Sequence, residues 1–113
     1  MKVNVILTVA SDIPPTFPGE FEYKIVEIED TYDMDIKQHF KDCIEFLDRV
    51  ITAGKIVYVH CAQGVSRSAS VVIAYTMWKN KIPLEAAQAL VKDKRPCICP
   101  NEGFQNQLEE FET

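Results

Sequence analysis

The strand-like run Lys55-Ile56-Val57-Tyr58-Val59, the nonapeptide His60-Cys61-Ala62-Gln63-Gly64-Val65-Ser66-Arg67-Ser68 and the apolar stretch onward to Trp78 constrain the fold more than any other part of the chain. The first run has the composition of a buried strand. The stretch from Ser68 to Trp78 is long and apolar enough for a buried helix. A glycine-containing loop between a strand end and a helix start is an anion site, because free backbone N–H groups and the helix dipole both face it. Here the loop also holds a nucleophile, Cys61. That combination points to phosphoryl transfer through a cysteine.

Spacing alone is weak support, and the chain contains its own control. A second cysteine-x5-arginine runs from Cys43 to Arg49. It lies in a segment, Asp35 to Ile51, where Ile36, Phe40, Cys43, Leu47 and Val50 recur at helical intervals. No glycine interrupts it, so Cys43 is expected in the core and Arg49 in water. Specificity therefore rests on the surroundings of Cys61: His60, Gly64, Ser66, Ser68 and the strand-to-helix junction. Six specified residues, each used at roughly 5%, recur by chance in far fewer than one window in a million.

His60-Cys61-x5-Arg67-Ser68 resembles the signature of cysteine-dependent protein phosphatases, and Ser66-Arg67-Ser68 is similar to their dual-specificity branch. The likeness continues through Ala74-Tyr75-Thr76-Met77, Arg95-Pro96-Cys97-Ile98-Cys99-Pro100-Asn101 and Gly103-Phe104, so it covers the chain from about Val5 to its end. Two positions depart from the family's habit: Gln63 where alanine is usual, and Thr76 where leucine is common. Neither touches the reacting atoms, but Gln63 can alter the pocket rim. The resemblance implies a protein-tyrosine-phosphatase-like fold with a hairpin and a helix ahead of the first strand. This chain starts at Met1 without them, which leaves an unpaired sheet edge, an association hazard. A fragment, a minimal variant, or a homodimer paired through that edge are the three readings.

At 113 residues, one domain spanning 1–113 is expected, with a single core. A hydrophobic content of 47% with 26% charged residues is that of an ordinary globular protein. The longest apolar stretch falls short of a membrane span, and Met1 does not open a charged start with a cleavable apolar region. The cytosol is then the expected location, with nuclear entry by size also open. A formal net charge of −5 argues against general nucleic-acid binding and makes any phosphate site a local positive feature. Cys43, Cys61, Cys97 and Cys99 lack paired C-x2-C spacing, and two histidines add no ligand cluster, so neither a metal nor another cofactor is expected.

Along the chain, strands are expected at Val3 to Val9, Tyr23 to Glu29 and Lys55 to Val59. A proline-rich loop, Ser11 to Glu20, gives just enough length for a crossover between parallel neighbours. Helices are expected from Asp35 to Ile51, from Ser68 to about Asn80, from Pro83 with Leu84, Ala87, Leu90 and Val91 inward, and from near Asn101 with Phe104, Leu108 and Phe111 inward. This alternation predicts an α/β domain with a mainly parallel central sheet flanked by helices. Ligands in such sheets bind beyond the carboxyl ends of strands. The loops after Glu29 and Val59 both leave at carboxyl ends and can share one crevice.

A free cysteine with a pKa of about 8.5 is only about 3% thiolate at pH 7, so the site must stabilise the Cys61 anion. Loop N–H groups from Ala62, Gln63, Gly64, Val65 and Ser66, the helix dipole and the Ser68 hydroxyl can do so. The same loop, with Arg67, would bind the phosphate: the arginine fork holds two phosphate oxygens at once. Gly64 lets backbone N–H groups turn inward without a clash. His60 can brace the loop by hydrogen bonding. By resemblance, Ser68 helps the thiolate leave the phosphocysteine. Asn101 either braces the catalytic loop, as the resemblance implies, or simply caps a helix.

The leaving oxygen needs a proton, and Glu29, Asp30, Asp33 and Asp35 compete to supply it. Asp35 with Gln38 fits a capping-box-like arrangement, and Glu29 belongs to the strand. Asp30, first in the loop, is favoured, and its spacing before Cys61 is similar to that of the family's general acid; Asp33 is the alternative. The expected function is hydrolysis of phosphotyrosine and of phosphoserine or phosphothreonine in phosphoproteins, through a phosphocysteine. A phosphatase for lipid or RNA phosphates is the alternative, disfavoured by neutral loop residues where related lipid phosphatases favour lysine. A non-catalytic phosphopeptide-binding module is disfavoured by the joint presence of Cys61, Arg67 and Asp30.

Overall fold

Val5, Leu7 and Val9 are fully buried and Thr8 nearly so, which places their strand between neighbours instead of at an edge. In the computed structural model, which describes residues 5–9, 22–29, 31, 33–61, 66–94 and 98–112, this strand, β1 (Val5–Val9), is the middle of three. On one side lies β2 (Glu22–Val26), parallel and in register from Val5 opposite Glu22 to Val9 opposite Val26. On the other lies β3 (Val57–His60), also parallel, with Val5 opposite Val57 and Thr8 opposite His60. The expected parallel sheet is therefore present, and β2 and β3 are its outer strands among the described residues. Strand bounds fall within two or three residues of the sequence reading. The loop Ser11 to Glu20, together with Asp30, Tyr32, Ala62, Gln63, Gly64, Val65 and Cys97, lies outside the described residues.

Helix α1 (Lys37–Thr52) connects β2 to β3 and buries Phe40, Cys43, Ile44, Phe46, Leu47 and Val50, the stripe that its apolar spacing predicts. It begins slightly later than expected. Ile36 is the capping residue without a side-chain cap, and Asp35 accepts the Gln38 backbone N–H from one position further out. The helix stops at Gly54, whose φ of 82° lets Gly54 N–H reach the Ile51 carbonyl and Lys55 N–H reach that of Val50. This paired closure satisfies carbonyls that would otherwise be left open.

Helix α2 (Arg67–Asn80) is the axis of the molecule: it packs against α1, β1 and β3 and against the two helices that follow. Those are α3 (Leu84–Lys94) and α4 (Glu102–Glu112). Pro83 sits just before α3, its carbonyl accepting from Ala87, while Glu112 of α4 accepts the Leu84 N–H. Phe104 and Leu108 of α4 are fully buried, and Phe111 meets Phe40 edge-on at 5.2 Å. Losing a buried phenylalanine such as Phe104 would cost about 3–5 kcal/mol. One expectation fails. Leu90 is 53% exposed, because α3 leans on α2 through Leu84 and Ala87 and its last turns run along an open groove.

Candidate active site

Among the described residues, the buried polar or charged side chains are Thr8, Ser66, Arg67, Ser68 and Ser70. All five gather where β3 hands over to α2. Burying polar groups is costly unless each finds a partner, so such a cluster marks a built site.

Cys61 follows β3 directly and is buried, with its Sγ 3.3 Å from Ser68 Oγ. As a thiol it donates to that oxygen; as a thiolate it would accept from the Ser68 hydroxyl. Ser68 is the second residue of α2, so this contact aims the cysteine at the start of the helix. That start lacks a side-chain cap and has no acidic residue in its first turn. Its orphan N–H groups and the positive end of its dipole thus face the Cys61 side without an internal anion to neutralise them. Helix α4 is the contrast: Asn101 Oδ1 accepts the Phe104 N–H at 2.8 Å and closes that terminus.

Arg67 opens α2 and is only 7% exposed. Its Nη1 donates to the Ile28 carbonyl at 3.0 Å. Ile28 lies just beyond β2, two residues before Asp30, so the arginine ties the two strand-end loops together across β1. Asp30 itself is outside the described residues, and Asp33 is exposed. The Asp35 carboxylate accepts from Gln38, as its capping role requires.

Ser66 and Asn101 are joined directly. The Asn101 backbone N–H donates to Ser66 Oγ at 2.9 Å, while its side chain caps α4. One residue thus holds Ser66, at the start of α2, through its backbone and caps α4 through its side chain. The Ser66 carbonyl in turn accepts from Ser70, through the Ser70 hydroxyl at 2.7 Å and its N–H at 2.9 Å.

His60 is half-buried, and desolvation pushes its pKa below the ordinary value, so the neutral ring prevails at pH 7. Its Nε2 lies 2.9 Å from Thr8 Oγ1, and its ring stacks on Tyr58 at 5.2 Å, within 5° of parallel. Sequence reasoning missed Thr8. Its signal was visible: a hydroxyl residue within the apolar run Val5-Ile6-Leu7-Thr8-Val9. The Ile28 carbonyl carried no such signal. The remaining described cysteines differ sharply from Cys61, since Cys43 is enclosed in the core and Cys99 is exposed. Among the described residues, no three His, Cys, Asp or Glu side chains gather as a metal site.

Comparison with known proteins agrees with this geometry. The model of the family described as "Dual specificity phosphatase, catalytic domain" matches residues 1–113. The chain is 39% identical over 113 residues to dual specificity protein phosphatase 1-B of Xenopus laevis, covering all of this chain and 31% of that protein. It is 43% identical over 111 residues to dual specificity protein phosphatase 1 of Arabidopsis thaliana, covering 98% of this chain and 56% of the relative. Hence the chain spans about a third to just over half of the length of these relatives. Among solved structures, a human tyrosine phosphatase-like serine/threonine/tyrosine-interacting protein superposes with a TM-score of 0.93 at 36% identity, over 97% of this chain and 76% of that one.

Proposed function

Because this chain belongs to the dual specificity phosphatase catalytic-domain family, we propose that it hydrolyses phosphotyrosine and phosphoserine or phosphothreonine in phosphoproteins, with Cys61 as the nucleophile. The observation that carries this reading is the Cys61 Sγ to Ser68 Oγ contact of 3.3 Å at an uncapped helix start, beside a buried arginine.

In the first step the Cys61 thiolate attacks phosphorus; an S–P bond forms and the P–O bond to the substrate breaks. The leaving oxygen takes a proton from Asp30. Arg67 and the N–H groups of residues Ala62, Gln63, Gly64, Val65 and Ser66 hold the non-bridging oxygens, whose charge spreads most in the transition state. In the second step Asp30 takes a proton from water as it attacks the phosphocysteine, releasing inorganic phosphate. The Ser68 hydroxyl donates to the departing thiolate. Ser66 and Asn101 hold the loop's exit, and His60 its entry. The bond from Arg67 to Ile28 supports Asp30 as the acid, because it holds the chain leading to Asp30 against the same helix start.

One solved relative is named as an interacting protein, so the scaffold alone does not separate catalysis from phosphopeptide binding. The thiol and hydroxyl pair favours catalysis, since a pure binder has no use for it. The test is turnover of phosphotyrosine, phosphothreonine and phosphoinositide substrates by the chain and by Cys61→Ser. Phosphopeptide turnover that Cys61→Ser abolishes is expected. Turnover unchanged in that variant sinks the mechanism, and a preference for phosphoinositides moves the substrate class to lipids.

A second copy is the proposed partner at the outer edge of β3. That strand is bonded on one side by β1 among the described residues, and Tyr58 on it is 49% exposed. Beside it runs a groove of about 370 Å³ lined by Val59, Ala69, Val72, Leu90, Val91 and Ile98. Sedimentation of the chain tests this: a dimer that Tyr58→Lys dissociates is expected, and a monomer at high concentration rules it out.

A further inference from the structure

We propose that Thr8 is a positioning residue for the reaction: its hydroxyl selects the tautomer and fixes the plane of His60, and so holds the junction from which Cys61 projects. The proposal rests on the reading of Cys61 as nucleophile and adds to it a residue from β1, fifty-two positions from the histidine in sequence.

Three observations carry it. Thr8 stands directly opposite His60 in the β1–β3 register, and its Oγ1 is 2.9 Å from Nε2. Thr8 is 2% exposed, and among the described residues His60 is its one side-chain hydrogen-bond partner. The ring is also clamped on a face by Tyr58, two residues back on the same side of the strand. A half-turn of the imidazole would present a carbon to Thr8, so the hydroxyl opposes the flip.

The direction of the bond follows from the protons. If Nε2 carried the hydrogen and donated to Oγ1, the hydroxyl's own proton would be buried without an acceptor, which is costly. If the hydroxyl donates to Nε2, the buried Thr8 proton is placed. The ring's hydrogen then sits on Nδ1, the nitrogen nearer the backbone. Nδ1–H is thereby available to donate to the chain that begins at Cys61, which is what a loop brace requires.

The tautomer is directly observable by nitrogen-detected NMR of the imidazole above neutral pH, with His39→Gln removing the signals of the other histidine. The expected result is a Nδ1–H ring for His60, a mixture of tautomers in Thr8→Val, and restoration in Thr8→Ser. A Nε2–H ring in the chain with Thr8 intact overturns the proposal however the variants fold. Alkylation of Cys61 by iodoacetamide, followed by mass spectrometry across pH, gives the second readout. Its midpoint should rise by about one unit in Thr8→Val and return in Thr8→Ser; identical profiles for all three overturn it. With p-nitrophenyl phosphate, Thr8→Val should lower kcat about tenfold and leave KM nearly unchanged, the size of one lost hydrogen bond. Failure of the unaltered chain to turn over any phosphate ester would instead count against the phosphatase reading, while the tautomer and alkylation results would still judge Thr8.

Discussion

Cys43 with Arg49 and Cys61 with Arg67 share one spacing and have opposite fates. In α1 the pair runs along a continuous helix, so its members point to different faces: Cys43 is fully buried among apolar side chains, while Arg49 is in water and bonded to Glu22. Burial pushes the Cys43 thiol up to about 12. At the β3–α2 junction Cys61 follows a strand and Arg67 opens a helix. Cys61 then meets the Ser68 hydroxyl, and Arg67 is drawn inside against the Ile28 carbonyl. The lesson is that the elements carrying them, not the interval, decide what surrounds a cysteine and an arginine. Core burial silences a thiol, whereas a helix start favours its anion.

The sharpest way to break this contrast is to exchange sulfur for oxygen at both sites. Cys61→Ser should lower kcat/KM by about a thousandfold or more, as loss of a nucleophile does. Cys43→Ser should leave kcat/KM within about twofold while lowering thermal stability, because a hydroxyl enclosed there without a partner costs about 1–3 kcal/mol. If Cys43→Ser proved as inactive as Cys61→Ser while still folded, the distinction would be lost.

The arginines come next. Arg67→Lys keeps the charge but loses the planar fork, and should cost about a hundredfold in kcat/KM. Arg49→Lys should leave turnover unchanged, since its guanidinium only bridges a surface carboxylate. An Arg67→Lys variant as active as Arg49→Lys would mean that charge, and not bidentate geometry, is what matters at Arg67.

How far this contrast was legible in advance depends on which contacts are local. The stripe of α1 put Cys43 inside and Arg49 outside from spacing alone, because a helix converts sequence interval directly into direction. The same logic located α2 and its buried start, and the alternation of elements gave the parallel sheet. The contacts that complete the site were not legible. Thr8 to His60, Arg67 to Ile28 and Asn101 to Ser66 each join segments far apart in sequence, and two of them use backbone atoms that every residue possesses. Leu90 was misread for a related reason: periodicity shows which face of a helix is apolar, not whether another element covers it.

Reactivity against pH measures the difference between the thiols on a finer scale. Iodoacetamide should modify Cys61 near neutrality and spare Cys43 until the chain unfolds. Raising the folded pKa of Cys43 from 9.0 to about 12 also has a sign in stability. A group whose pKa is raised on folding contributes fully below its unfolded value, and the contribution is lost as pH rises toward the folded value. Stability should therefore decline between about pH 9 and 12, and Cys43→Ala should flatten that decline, as read by denaturant unfolding at each pH. A decline of the same steepness in Cys43→Ala assigns it to other groups.

The smallest effect lies at the water-facing end of the control pair. Glu22, the first residue of β2, accepts from Arg49 Nη2 at 2.9 Å and from Lys55 Nζ at 3.2 Å. The Arg49 bond first, and the Lys55 bond second, hold its carboxyl below the usual carboxylate range. A lowered pKa contributes above the unfolded value and is lost as pH falls, the opposite sign to Cys43. Exposed pairs of this kind are screened, so Glu22→Gln should lower the melting temperature only slightly, and the gap should close in high salt or acid. Arg49 has a second contact, its guanidinium lying 5.2 Å from the centre of the Phe46 ring. That stacking depends on packed surface as well as charge, so it should outlast the salt that erases the ion pair. Arg49→Ala should then destabilise more than Glu22→Gln, and the excess should persist in high salt. Equal effects that vanish together would reduce Arg49 to its charge, leaving Arg67 as the member of the two pairs whose shape counts.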